Sequence, residues 1–153
     1  MVSKAVHALT DGLTKLQAPI PLITATINLG AAVTSRIEIE SMDKTTLPVL
    51  RPFMEDFLSK EGHLLFYRFG EWAQATRLAA LSGEKGKVEA AVQFLRGANL
   101  AAYFLEELKA KKLPMGVMDS LKSIAEIEKK SLIGEEEVRR TLKAVTTIIE
   151  IMG

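Results

Sequence analysis

The sequence predicts an all-α protein, in which residues 1–153 form a single domain built as one antiparallel bundle of six or seven helices. Three observations support this prediction. Apolar residues recur every three or four positions in almost every segment, which is the spacing of one helix face. All five prolines and several glycines lie between these segments or near their starts, where they begin or end helices. A chain of this length is also typical of one domain.

The first predicted helix begins at the N-terminus and ends before Pro19 and Pro21, because proline interrupts helical hydrogen bonding. Five later helices follow from the same apolar spacing. The first of them begins after Thr46 and ends near Ser59. The other four cover residues 64–81, 87–111, 117–127 and 135–152.

The segment from Ile20 to Glu40 is open to two interpretations. A helix over residues 21–42 would place apolar side chains along one face, and Pro21 suits its first turn. A β-hairpin is the alternative, since apolar and polar residues alternate in residues 23–27 and again in 36–40. We favour the helix, because an isolated hairpin would need a packing partner.

Charge and composition exclude several classes of protein. The net charge of +1 provides no overall field that would attract nucleic acid or an anionic membrane. Residues 17–35 are uncharged and long enough to span a bilayer, but their prolines and hydroxyl side chains argue against a membrane segment. The absence of cysteine and of a signal peptide favours the cytoplasm. Few Asn and Gln beside many Lys and Glu favour a thermophilic source. The composition as a whole broadly resembles that of small archaeal helical proteins.

No motif for catalysis, cofactor binding or metal binding is recognisable. Glycine-rich phosphate loops, the zinc-protease motif and the nucleophile elbow are all missing. His7 and His63 are the two histidines, and neither stands three residues after a glutamate as a di-iron bundle requires. We therefore expect no catalytic residue, no cofactor and no metal site. The lack of recognisable motifs favours a protein that is not an enzyme.

Asn99 is the first polar residue that stands among apolar ones. It falls in the middle of the apolar stripe of the helix predicted over residues 87–111. Tyr103 lies one turn further, and Glu106 follows on the same stripe. A structural role is the simpler interpretation, because a buried amide must have its hydrogen bonds made. A polar lining for a small-molecule pocket, formed by Asn99, Tyr103 and Glu106, is the alternative.

The second unusual surface is the back of the helix that contains Trp72, opposite its core-facing stripe. This surface is not a charged solvent face, so the helix either packs on both sides or binds another chain. A catalytic role for His63 with Glu71 is disfavoured, because no nucleophile accompanies them. The predicted interface consists of His63, Leu64, Tyr67, Glu71, Gln74 and Leu78.

These features rank three hypotheses about function. The first is a helical interaction protein that associates with itself, with a two-fold dimer as the expected form. The second is a helical bundle that binds a small molecule of undefined chemistry near Asn99. The third is a nucleic-acid accessory protein, which we consider the weakest because acidic residues alternate with the basic ones between Lys109 and Lys143.

If Asn99 faces a neighbouring helix, Asn99→Ala leaves its partner unpaired and lowers the free energy of unfolding by about 1–3 kcal/mol. Asn99→Leu separates the two roles. In a structural role, leucine keeps or raises the melting temperature while loosening the choice of oligomer, whereas in a pocket it abolishes ligand retention. Unchanged melting temperature and oligomeric state in both variants would place Asn99 on the surface.

Overall fold

A computed structural model describes residues 2–34, 47–98 and 100–152 of the chain. All regular structure within these ranges is helical, so the prediction of an all-α protein is confirmed there. The helices are α1 (Val2–Lys15), α2 (Ile20–Thr34), α3 (Leu47–Lys60), α4 (Leu64–Glu84), α5 (Val88–Ala98), α6 (Leu100–Glu107), α7 (Met115–Glu128) and α8 (Glu135–Met152). A short 3-10 helix, Lys109–Lys111, lies between α6 and α7.

The described residues form eight α-helices rather than six or seven. The difference arises in the segment predicted as one helix over residues 87–111. This segment contains α5, α6 and the 3-10 helix, while Asn99 lies outside the described residues. Lys112 then adopts a left-handed backbone with φ of 51°, and Pro114 stands at the N-cap of α7. The left-handed residue ends the helical path, because a right-handed helix cannot pass through it.

The ambiguous segment is a helix as far as it is described, and the hairpin is wrong for Ile20–Thr34. A helix satisfies its own backbone hydrogen bonds, so it needs no partner strand. The buried hydroxyl of Thr26 donates to the carbonyl of Leu22 at 2.9 Å. Gly30 is buried against the side chain of Val6, with which an added Cβ would overlap. The second predicted strand, residues 36–40, lies outside the described residues.

Contacts between residues divide the chain into two compact units, Met1–Leu64 and Leu65–Gly153. The prediction that all helices form one domain and one bundle stays a prediction. In the N-terminal unit, α1 packs against α2, and α2 against α3. One stripe of α3 faces inward at helical spacing, where Leu50, Met54 and Leu58 are buried.

The core of the C-terminal unit forms where α7 contacts both α6 and α8. Leu121 and Ile124 of α7 are fully buried, as is Val145 of α8. Three aromatic rings extend this core: the centroids of Phe69, Trp72 and Phe104 lie 5.3, 5.4 and 5.8 Å apart. Ring pairs at these separations attract each other beyond the effect of their burial.

The start of α8 is held by a carboxylate. The backbone N–H of Gly134 donates to Glu137 Oε2 at 3.0 Å, as in a capping box. Lys130 Nζ also donates to Glu137 Oε1 at 2.8 Å. Lys130 first, and then the Gly134 amide, lower the pKa of Glu137 to about 2. The turn from α7 to α8 is thus fixed by one side chain that contacts both of its ends.

The burial of the inward face of α7 leads to a testable prediction about the free energy of unfolding. Leu121 is 0% exposed and Leu132 is 80% exposed, so the same substitution should have very different effects. Leu121→Ala removes buried methyl groups and leaves a cavity, which should lower the free energy of unfolding by about 2–5 kcal/mol. Leu132→Ala should change it by less than about 0.5 kcal/mol. Denaturant unfolding followed by circular dichroism measures both, and equal effects would contradict the assigned core.

Candidate functional site

An apolar groove lies in the N-terminal unit between α2 and α3. It arises because α3 carries a second apolar stripe beside the buried one. The groove has a volume of about 670 Å³. We call it the N-terminal groove, and its described lining consists of Pro19, Pro21, Leu22, Ala25, Val49, Leu50, Phe53, Asp56, Phe57 and Lys60.

Large apolar side chains at this groove remain in contact with solvent. Phe53 is 68% exposed and Val49 is 62% exposed. Covering such surface releases about 25 cal/mol for each Å² removed from water. The charged members of the described lining are Asp56 and Lys60, which form an ion pair with a Nζ–Oδ2 distance of 2.7 Å. The groove is therefore apolar in its middle and charged at one edge.

The interface predicted on the Trp72 helix is a mixed surface. His63 precedes α4 and is exposed, and Gln74 and Leu78 of α4 are also exposed. Leu64 is half-buried. The same is true of Tyr67 and Glu71, whose side chains meet within the helix.

Their contact is a hydrogen bond from the hydroxyl of Tyr67 to Glu71 Oε1 at 3.0 Å. Two of the predicted interface residues thus interact with each other in the same helix. The binding of a partner to this surface stays a prediction.

Two of the three predicted ligand residues are described, and both lie on α6. The ring of Tyr103 is about half exposed and meets Phe104 edge to face at 5.2 Å. Glu106 is exposed and pairs with Lys109, with an Oε2–Nζ distance of 3.4 Å. Asn99 lies outside the described residues. The prediction that these three side chains bind a ligand stays a prediction.

A cavity that the sequence analysis missed lies among α4, α5, α6 and α7. Its volume is about 250 Å³. We call it the Trp72–Glu128 cavity, and its described lining consists of Trp72, Gln93, Phe94, Gly97, Leu100 and Glu128. Glu128 continues the buried stripe of Leu121 and Ile124 at helical spacing, so a glutamate on the apolar face of α7 was the available signal.

Glu128 is a carboxyl group in an apolar setting. The backbone N–H of Ala101 donates to its Oε2 at 3.2 Å and, more weakly, to its Oε1 at 3.5 Å. The contact places a carboxylate at the N-terminal end of α6, where backbone N–H groups would otherwise lack acceptors. Burial raises the pKa of Glu128 to about 7, and the Ala101 hydrogen bond opposes part of that rise. Glu128 therefore changes charge near neutral pH.

Three further observations concern the described residues and the chain as a whole. Residues 2–34, 47–98 and 100–152 contain no cluster of three or more potential metal-binding His, Asp or Glu side chains. No helix within these ranges combines the length and the apolar character needed to cross a bilayer. Comparison of the chain with protein families, with curated proteins and with solved structures found no match.

The environment of Glu128 predicts how stability depends on pH. Its pKa of about 7 in the folded protein exceeds the ordinary value of 4.5, so folding binds a proton between these values. The resulting stabilisation is complete below pH 4.5 and is lost as the pH rises through 7. In Glu128→Gln this loss should disappear, so the variant should be more stable than the natural protein at pH 8 but not at pH 5.

The matched control is Glu126→Gln, because Glu126 is exposed on the same helix. It should keep the pH dependence of the natural protein. Thermal unfolding at several pH values between 5 and 8 measures the effect and avoids the range in which Glu137 titrates. Parallel stability curves for the natural protein and Glu128→Gln would contradict the assigned environment of Glu128.

Proposed function

We propose that this protein is a non-enzymatic helical interaction protein that forms a two-fold dimer through the N-terminal groove. The observation that carries the proposal is the exposure of Phe53 and Val49 around one apolar concavity. Exposed apolar side chains gathered at one site are typical of protein–protein interfaces. Scattered exposed residues such as Leu132 need no such explanation.

A second copy of the chain is the occupant that the groove favours. In a two-fold interface each residue pair occurs twice, so a surface must be complementary to itself. The groove supplies a concave apolar wall and, in Phe53, an exposed ring that could enter the groove of a partner. Aromatic side chains in this position are the usual anchors of an interface.

The charged edge of the groove supports the same arrangement. Asp56 and Lys60 carry opposite charges on one turn of α3. Two-fold symmetry can place Asp56 of each copy near Lys60 of the other, so that no like charges need to meet. This exchange would fix the register of the dimer more than its affinity, because exposed ion pairs contribute little stability.

The proposal differs from the sequence-based expectation in the surface that it uses. The predicted interface on α4 contains a hydrogen bond between Tyr67 and Glu71, whereas the lining of the N-terminal groove is mostly apolar. We propose the cytoplasm as the site of action, because the chain contains no cysteine that an oxidising compartment could pair.

Phe53→Asp tests the dimer directly. The change places a charge at the centre of the proposed interface and should weaken association at least tenfold, since an unpaired charge is costly to desolvate. Light scattering on a sizing column should show a dimer for the natural protein at micromolar concentration and a monomer for the variant. Because Phe53 is exposed, the melting temperature of the monomer should change little.

Leu132→Asp is the matched control, since Leu132 is equally apolar and exposed but lies in the C-terminal unit. It should remain dimeric. A natural protein that stays monomeric throughout the micromolar range would overturn the proposal. A dimer that Phe53→Asp leaves intact would overturn the assignment to the groove and direct attention to Gln74 and Leu78 on α4.

A further inference from the structure

The Trp72–Glu128 cavity combines aromatic walls with one carboxyl group. Trp72 is buried and its ring belongs to the aromatic core, so this wall is rigidly placed. Phe94 is partly exposed, and Gln93 and Gly97 beside it on α5 are exposed, so the cavity opens to solvent on this side. Leu100 adds a half-buried apolar side chain. A small molecule can therefore reach Glu128 past α5.

The size of the cavity limits what it can hold. Its volume is about 250 Å³. An apolar cavity of about 150 Å³ is sufficient for benzene. The Trp72–Glu128 cavity therefore has room for one aromatic ring and a short polar arm, but not for a nucleotide or a peptide.

Glu128 has acceptor capacity beyond its bond to Ala101. An ionised carboxylate offers about four lone-pair sites on its two oxygens. Among the described residues, the hydrogen-bond donor to Glu128 is the backbone N–H of Ala101, which is shared between Oε1 and Oε2 and uses only part of this capacity. A ligand that donates hydrogen bonds and carries positive charge would satisfy the rest.

The same features exclude other ligand classes. An anion would be repelled by the carboxylate of Glu128. This carboxylate already occupies the N-terminal end of α6, where the positive end of the helix dipole would otherwise attract an anion. A hard metal ion needs about six oxygen ligands, and Glu128 is the one carboxylate in the described lining. A cation attached to an apolar body fits both the carboxylate and the aromatic faces, because these faces also attract cations.

We propose that the Trp72–Glu128 cavity binds a small organic ammonium ion with an aromatic or similarly compact apolar body. The apolar part would lie against Trp72, Phe94 and Leu100, and the ammonium group would donate to Glu128. This binding site lies within the C-terminal unit and does not depend on the proposed dimer, which uses the N-terminal unit.

The titration of Glu128 gives this site a distinctive pH dependence. The pKa of about 7 means that the carboxyl is mostly neutral at pH 6 and mostly charged at pH 8. The charged form binds the ammonium ion, so affinity should rise about tenfold between these two pH values. Binding should also lower the pKa of Glu128, because a nearby positive charge favours the carboxylate.

Trp72 provides the measurement, since it is the single tryptophan of the chain and forms a wall of the cavity. The probe is 2-phenylethylammonium, which stays charged between pH 6 and 8, and the comparison is 2-phenylethanol, a neutral molecule of the same shape. We expect a saturable change in tryptophan fluorescence with the ammonium ion, about tenfold tighter at pH 8 than at pH 6. The alcohol should bind more weakly and without pH dependence.

Glu128→Gln keeps an oxygen that can accept the Ala101 N–H but removes the charge. It should lose the preference for the ammonium ion over the alcohol and lose the pH dependence, while Glu126→Gln should behave as the natural protein does. The absence of saturable binding at pH 8 would overturn the proposal. Equal binding of both probes, or unchanged discrimination in Glu128→Gln, would also overturn it and leave Glu128 only as the cap of α6.

Discussion

Burial of one apolar face on each helix is the interaction on which both units depend. On α7, Val117, Leu121 and Ile124 are fully removed from solvent at helical spacing. On α3, Leu50, Met54 and Leu58 form the corresponding face. This burial is the main favourable term in folding, and it fixes which side of each helix is left for other uses. The N-terminal groove exists because α3 has more apolar surface than α2 covers.

Glu137 and Glu128 show that the surroundings of a glutamate determine the pKa of its carboxyl group. Glu137 accepts from Lys130 and from a backbone N–H, which stabilise its charge and lower its pKa to about 2. Glu128 accepts from one backbone N–H among apolar walls, and burial raises its pKa to about 7. The first is suited to holding a turn at any physiological pH. The second is suited to responding to pH and to a cationic ligand.

The two proposed sites use different physical principles and lie in different units of the chain. The N-terminal groove offers apolar surface to a partner and places its charges at the edge. The Trp72–Glu128 cavity places one half-buried carboxyl group beside two aromatic side chains. Association through the groove should therefore depend weakly on pH between 6 and 8, whereas binding in the cavity should depend on it strongly.

The sequence by itself determined the helical class and most helix positions, because apolar spacing and proline are local signals. It also favoured the helix over the hairpin at Ile20–Thr34, where α2 is found. The interface residues from His63 to Leu78 and the ligand residues Asn99, Tyr103 and Glu106 were chosen from helical wheels. A wheel describes one helix and does not show which neighbour covers each face.

Only the tertiary structure decided which surfaces are concave and which carboxyl group lies in a mostly apolar cavity. Phe53 and Leu50 are both apolar residues of α3, yet one is exposed and the other is buried by packing within the unit. Helical spacing could indicate that Glu128 lies on the buried face of α7, but α4, α5 and α6 supply the other walls of its cavity. Cavities and pKa shifts depend on residues distant in the sequence, and helical periodicity carries no information about their proximity.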